Sequence, residues 1–385
     1  MIYLDHNATT ALFPPAREAM NAVLDTLTGN PSGIHGPGRI ARAFVDDARD
    51  RIAALLGAKS HEIIFTSGGT ESCNLAVLGL ARRHGGGRRH LVTSVTEHHA
   101  VLHSMRWLAA REGFDLTEVP VNSRGMTDPD EFAAALRPET VLASVMTANN
   151  ETGVIQPTTQ LSAICRERGV LFHSDAVQAF GKIRCVPSEA GVDAMSVTSH
   201  KFYGPHGAGF LWLRSGVSID AIHHGGFHEN ERRPGTENVA AIAGMATAAE
   251  TAVAEVLDGR EASRQNGLRE RLWSGISAID PSALRNAEGA DLIPNTLNIS
   301  FPGCDGETLL MGLDLEGIAA SSGSACMVGS IQASHVLLAM GVQETLARAT
   351  VRFSLGRHTS EQDVEGALEA LDRVLSRQAP FRSKS

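Results

Sequence analysis

The sequence has few of the features that mark secreted, membrane-spanning or nucleic-acid-binding chains. Its 385 residues hold five cysteines, Cys73, Cys165, Cys185, Cys304 and Cys326. The number is odd, the positions are scattered and no Cys-x-x-Cys pair occurs, which argues against a disulfide framework and against a zinc site. Adjacent His223 and His224 have no third ligand at a useful spacing, so no standing metal site is expected. No uninterrupted apolar run is long enough to cross a bilayer, and Met1-Ile2-Tyr3-Leu4-Asp5 reads as a strand rather than a signal segment. A soluble cytoplasmic protein with no membrane partner is the expectation. Positive charge is in deficit: the formal net charge is -9 and the pI about 6.0. That disfavours a basic groove, and Arg82-Arg83 and Arg88-Arg89 read as solvated helix ends or loops, so no nucleic-acid partner is expected.

A hydrophobic content of 43% supports a well-formed core. The length exceeds the roughly 250–300 residues at which single cores stop growing, so two domains are predicted. From about residue 60 to 215, apolar runs alternate with amphipathic stretches, the pattern of an α/β domain with a mostly parallel sheet flanked by helices. The predicted strands are Glu62–Thr66, His90–Val95, Val141–Thr147, Val170–His173, Ala194–Thr198 and Gly209–Leu213. A long helix from Asn238 to about Ile279 bridges to a smaller α+β domain, in which Asn295–Phe301 and Thr350–Ser354 read as strands. The predicted division is 12–255 for the large domain, with 1–11 and 256–385 forming the small one.

Ligands of open α/β sheets sit beyond the carboxyl ends of the strands. There the chain places Ser67-Gly68-Gly69-Thr70-Glu71, Thr96-Glu97-His98, Asn149-Asn150-Glu151, Ser174-Asp175-Ala176-Val177-Gln178 and Ser199-His200-Lys201. Gly68-Gly69-Thr70 sits where a strand turns into a helix predicted over Glu71–Arg83, and Gly69 and Thr70 suit a phosphate. Asp175 could pair with a protonated ring nitrogen, His98 could stack or move a proton, and Asn150 and Gln178 offer neutral hydrogen bonds. Lys201, just past a buried strand and before Gly204-Pro205, could lose its proton and form a Schiff base with an aldehyde.

In series, Tyr3–Thr10, Gly29-Asn30-Pro31-Ser32, Phe65–Ser72, Thr96-Glu97-His98, Ala148–Gly153, His173–Gln178 and Ser199-His200-Lys201 resemble the cysteine desulfurases of the nitrogen-fixation and iron–sulfur-cluster assembly type. That group is similar to class V aminotransferases, which are pyridoxal 5'-phosphate (PLP) enzymes of fold type I. The resemblance covers nearly the whole chain. It implies a Schiff base between Lys201 and PLP, stacking and proton transfer by His98, Asp175 on the ring nitrogen, and Gln178 on the ring hydroxyl. Thr70, Thr198 and His200 would hold the phosphate, and Thr236, in Arg233-Pro234-Gly235-Thr236, would complete a partner subunit's phosphate cup in a homodimer. Arg352, supported by Asn150, would bind the carboxylate of L-cysteine.

Cys326, set in Ser321-Ser322-Gly323-Ser324-Ala325, stands where the family has its persulfide-forming nucleophile, and the resemblance also allows it a transient role as an iron–sulfur ligand. The implied reaction converts L-cysteine to L-alanine and passes sulfur to an iron–sulfur scaffold or another acceptor protein, nitrogenase assembly included. A selenocysteine lyase or aminotransferase on the same fold is the alternative. A non-catalytic partner of the assembly machinery is disfavoured by the joint presence of Lys201, Asp175, His98 and Arg352. The chain departs from the family pattern at Met327–His335 and at Leu338, where an arginine is common. It also has Cys73 where an acidic residue is frequent, a position read as facing away from the chemistry.

Overall fold

The computed structural model describes residues 1–26, 28–322 and 332–378. Strand β1 (Ile2–Tyr3) precedes helices α1 (Pro14–Thr26) and α2 (Gly36–Leu55). Strands and helices then alternate through β2 (Ile63–Thr66), α3 (Gly69–Gly85), β3 (His90–Ser94), α4 (His99–Glu112), β4 (Asp115–Val119), α5 (Pro129–Ala135), β5 (Thr140–Ser144), α6 (Thr158–Glu167) and β6 (Leu171–Asp175). After α7 (Pro187–Ala190) come β7 (Ala194–Thr198) and β8 (Gly209–Leu213). These strands form a seven-stranded sheet in the order β2-β8-β7-β6-β5-β3-β4. Only β8 runs against its neighbours, so the carboxyl ends of the other six strands share one rim.

The sheet is covered on both faces, which is why β3, β5, β7 and β8 read as continuous buried runs. Alternate residues serve the two sides. Ile63, Val92, Met195 and Phe210 pack toward α1, α2, α6 and the long helix described below, whereas Ile64, Leu91, Ala194 and Leu211 pack toward α3 and α4. All six predicted strands are present, Ala194–Thr198 and Gly209–Leu213 with the predicted bounds and the other four with ends shifted by up to three residues. Strand β4 was not predicted: Asp115, Thr117 and Glu118 lie on a sheet edge that is only partly covered.

The predicted 238–279 helix is two helices, α8 (Val239–Asp258) and α9 (Arg260–Ile279). Gly259, at φ 73°, closes α8 in the left-handed conformation that a side chain resists, and its N–H donates to Glu255 O at 3.0 Å. Helix α8 is by length and composition apolar enough to cross a membrane, although Glu250 and Glu255 interrupt its apolar run. All its alanines except Ala254 are buried, and with Val239, Ile242 and Met245 they form a face against α1 and α2, as befits a core helix.

The remaining elements are β9 (Leu284–Arg285), β10 (Thr296–Ser300), α10 (Gly306–Leu315), β11 (Ile318–Ala319), α11 (His335–Ala339), α12 (Glu344–Arg348), β12 (Thr350–Ser354) and α13 (Glu361–Gln378). Strands β12, β10 and β9 make an antiparallel sheet, and β1 pairs with β11 in parallel. One face of β10 sends Leu297 and Ile299 into a second core with α9, α10 and α13. Its other face is polar yet buried. There Asn298 Nδ2 donates to Glu151 O at 3.1 Å and Thr296 Oγ1 accepts from Asn7 Nδ2 at 2.8 Å, stitching this sheet to the rim of the large one.

Candidate active site

Where β2 ends, Gly68 takes φ 153° and ψ -174°, a conformation open essentially to glycine. A Cβ on Gly69 would come within 2.7 Å of Val177 Cγ2 and 3.5 Å of Thr198 Cβ. The turn therefore lies flat against the ends of β6 and β7, and aims the free N–H groups of α3 at the rim. A cavity of about 450 Å³ opens there. Gly69, Thr70, His98, Asn150, Asp175, Gln178, Thr198, His200, Lys201 and Arg352 all line it. Every proposed site residue among the described ones is thus brought together, except Thr236. Thr236 is exposed and does not line the cavity; its neighbour Arg233 is tied to Glu71 of α3 at 2.6 Å. Cys326 lies outside the described residues, as do Met327–Ile331, but Ser321 and His335 on either side of that segment both line the cavity.

Lys201 Nζ donates to the carbonyls of Asn7 and Ala8, both at 2.6 Å. Burial, and then the Arg352 charge, push its amine down to about 8, while Asp5 and Asp175 pull the other way. Such an amine is a competent nucleophile near neutral pH. Asp175, 5% exposed, has its carboxyl raised by burial, against which His98, the Val177 N–H at 2.9 Å, Cys73 and Lys201 act. A group placed here with a protonated ring nitrogen would hold the carboxylate charged. His98 caps α4, its Nδ1 accepting from Ala100 N at 3.1 Å, which leaves the proton of the neutral ring on Nε2; burial lowers its pKa. Burial also pushes His200 down to about 4, with Lys201 adding to the effect.

Arg352, 4% exposed, donates from Nη2 to Asp5 Oδ1 at 2.7 Å and from Nη1 to Asn150 O at 2.9 Å. Its buried Nε has no hydrogen-bond partner among the described residues. The residue lines the cavity, and the fork of its guanidinium suits a carboxylate that would share its Nη donors with Asp5 and the Asn150 carbonyl. The predicted support from Asn150 comes through its backbone carbonyl.

The sequence reading missed several residues. Asn7, 1% exposed, is the hub: its N–H donates to Ser354 Oγ at 2.9 Å, its side chain bonds Thr296 and Asn295, and its carbonyl receives Lys201 and Gln178. Lys182 bonds both Asn7 and Gln178. His99 and His335 stack at 4.8 Å on the cavity edge, and Ser334 donates to the buried Glu151 carboxyl, whose pKa burial raises. The reading of Cys73 is corrected. Four residues beyond Gly69 on α3, it faces the sheet, fully buried, with its thiol hydrogen-bonded to Asp175 and Ser196 and pushed well up by burial. A helical offset of four from the phosphate-type turn could have signalled this.

Residues 2–366 match the family model described as Aminotransferase class-V. The chain is 44% identical over 376 residues to "Cysteine desulfurase IscS" of Dictyoglomus turgidum, covering 98% of this chain and 95% of that protein. It is 46% identical over 385 residues to an "IscS-like cysteine desulfurase" of Mycobacterium tuberculosis, covering 98% and 97%. Among solved structures it resembles a "NifS-like protein" with a TM-score of 0.91 and 37% identity, over 98% of this chain and 99% of that one. A NifS-like protein from Rickettsia africae aligns with a TM-score of 0.87 at 31% identity, over 98% and 99%.

Proposed function

Because this chain belongs to the class-V aminotransferase family, we propose that it is a PLP-dependent cysteine desulfurase, converting L-cysteine to L-alanine and supplying sulfur for iron–sulfur cluster assembly. The observation that carries this reading is the convergence on one cavity of a lysine amine pushed down to about 8, a buried carboxylate and a buried arginine.

The residues fit the cofactor. The flat turn at Gly68-Gly69 with Thr70, Thr198 and His200 offers donors for a phosphate at the head of a 17-residue helix. Asp175 offers a partner for the ring nitrogen, Gln178 a donor for the ring oxygen, and His98 a flat face. When bound, the cofactor supplies an electron sink for the pair released at the substrate Cα. Lys201 anchors it and then takes and returns the proton at Cα, a role suited to an amine whose ordinary basicity has been removed by burial. Arg352 orients the substrate carboxylate, exchanging part of its contact with Asp5. His98, neutral with its proton on Nε2, could supply the proton that Cβ needs when the sulfur is taken and the Cβ–S bonding pair stays on carbon.

Cys326 is assigned the nucleophilic role by resemblance. Its thiolate takes the substrate sulfur as a persulfide while alanine leaves, and the persulfide passes to an acceptor protein. Residues 12–255 then serve as the cofactor unit, and 1–11 with 256–385 as the unit carrying the cysteine. We further propose a homodimer in which Thr236 reaches the partner's cavity. Its exposure on a loop pinned to the α3 turn through Arg233 and Glu71 supports this.

The test is release of alanine and sulfide from L-cysteine by the purified chain with PLP and a reductant, alongside Cys326→Ala. Equal amounts from the native chain and none from the variant are the expected result. A variant that turns over like the native chain would replace this reading with that of a lyase or aminotransferase for which Cys326 is dispensable.

A further inference from the structure

Lys182 lies four residues after Gln178 and faces away from the main cavity, bordering a second one of about 30 Å³ behind Lys201. Its Nζ donates to Gln178 Oε1 at 2.6 Å and to Asn7 Oδ1 at 3.0 Å. Gln178 Nε2 in turn donates to Asn7 O at 2.9 Å. These contacts admit a single amide orientation. A flipped Gln178 would set its oxygen against the Asn7 carbonyl and its NH2 against the lysine amine, two repulsive pairs in place of two hydrogen bonds. Since an amide nitrogen carries two hydrogens and Asn7 takes one, the other is left for the cavity that Gln178 lines.

We propose that Lys182 is a positioning residue which locks the Gln178 amide with an N–H toward the cavity, so that this wall selects a ligand bearing an anionic, phenolate-type oxygen. An ammonium can only donate, so while Lys182 is charged the amide oxygen must face it. Burial holds that ammonium well below the usual lysine range, and the neutral amine keeps the same two acceptors while the Asn7 carbonyl holds the amide N–H on its side. The same residue steadies Asn7, whose carbonyl holds the Lys201 amine. Without Lys182, the amide keeps only its bond to the Asn7 carbonyl, and whenever it turns, an anionic oxygen in the cavity would meet an acceptor.

The inference rests on the cofactor assignment above, and its test is the pH titration of the holoenzyme's visible absorption band. A donor at Gln178 favours the deprotonated ligand, so Lys182→Met and Gln178→Leu should each raise the band's pH midpoint by about one unit. The double variant should move it no further than Gln178→Leu alone, because Lys182 acts through Gln178. Lys182→Arg, which can still donate, should sit near the native midpoint. A native midpoint in Lys182→Met, or shifts that add in the double variant, would overturn the proposal. Should Lys182→Met fail to fold, Gln178→Glu carries the test. It keeps the lysine contact but has no N–H for the cavity, so an unmoved midpoint refutes the lock. A native protein that forms no visible band with PLP would instead refute the cofactor assignment itself.

Discussion

The basicity of Lys201 can be read out directly by the rate at which the cofactor-free chain captures PLP. Its amine sits at about 8, against 10.5 for an ordinary lysine side chain. At pH 7 about one molecule in ten then carries the free amine, compared with about one in three thousand for an unperturbed lysine, a gain of roughly 300-fold in nucleophile. In stopped-flow mixing across pH 6–10, the second-order rate of band formation should climb about tenfold per pH unit up to about 8 and then level off. Arg352→Met should move that midpoint upward, because the arginine charge is the second cause of the depression after burial. The same shift sets the sign of a stability effect. Between pH 8 and 10.5 the unfolded lysine holds a proton that the folded one has released. The stability of the cofactor-free chain should therefore rise across that window, by about 3 kcal/mol from this group. A rate that goes on climbing to pH 10 would refute the reasoning, as would a downward shift in Arg352→Met.

Two further perturbations test the surroundings of the site. Arg49 grips the buried Glu229 carboxylate with both Nη atoms, beside three successive left-handed residues, Glu229, Asn230 and Glu231, at φ 50°, 55° and 65°. Arg49→Met leaves that carboxylate unpaired and should cost about 3–5 kcal/mol in denaturant unfolding, whereas a loss under about 1 kcal/mol would show the pair to be dispensable. Asp5→Asn removes the carboxylate that occupies Arg352 at 2.7 Å and supports the Lys201 proton. It should lower KM for L-cysteine by about three- to tenfold and shift the Lys201 midpoint below its native value. A raised KM would mean that Asp5 orients the arginine rather than competing with the substrate.

The rim was legible in the sequence because its strands are buried on both faces, so each reads as a short apolar run that stops where polar residues begin. Asp175, Lys201 and Thr198 could be placed at strand ends from that pattern alone, whereas the assignment of chemical roles came from resemblance. Strand β4 was not legible because half its residues meet water. The break at Gly259 was missed because a glycine within a helical pattern can be either an interior residue or a stop. Asn7, Asp5 and Lys182 could not be found by local reasoning, since what gives them meaning lies 175 to 347 residues away. Cys73 failed for a different reason. Its orientation depends on where α3 begins, and the helix starts at Gly69 rather than at the predicted Glu71.

The Asn7 hub also bears on the biogenesis of the protein. Strand β1 pairs with Ile318 and Ala319, and the Asn7 N–H waits for Ser354, so the carbonyls that seat the Lys201 amine are themselves fixed only by residues made long after them. A nascent chain can lay down most of the large sheet, Asp175 and Lys201 included, and still lack the seat for that amine. Cofactor capture therefore belongs after residues 318–354 have joined the fold, and a product truncated before them would fold much of its sheet without seating the reactive lysine.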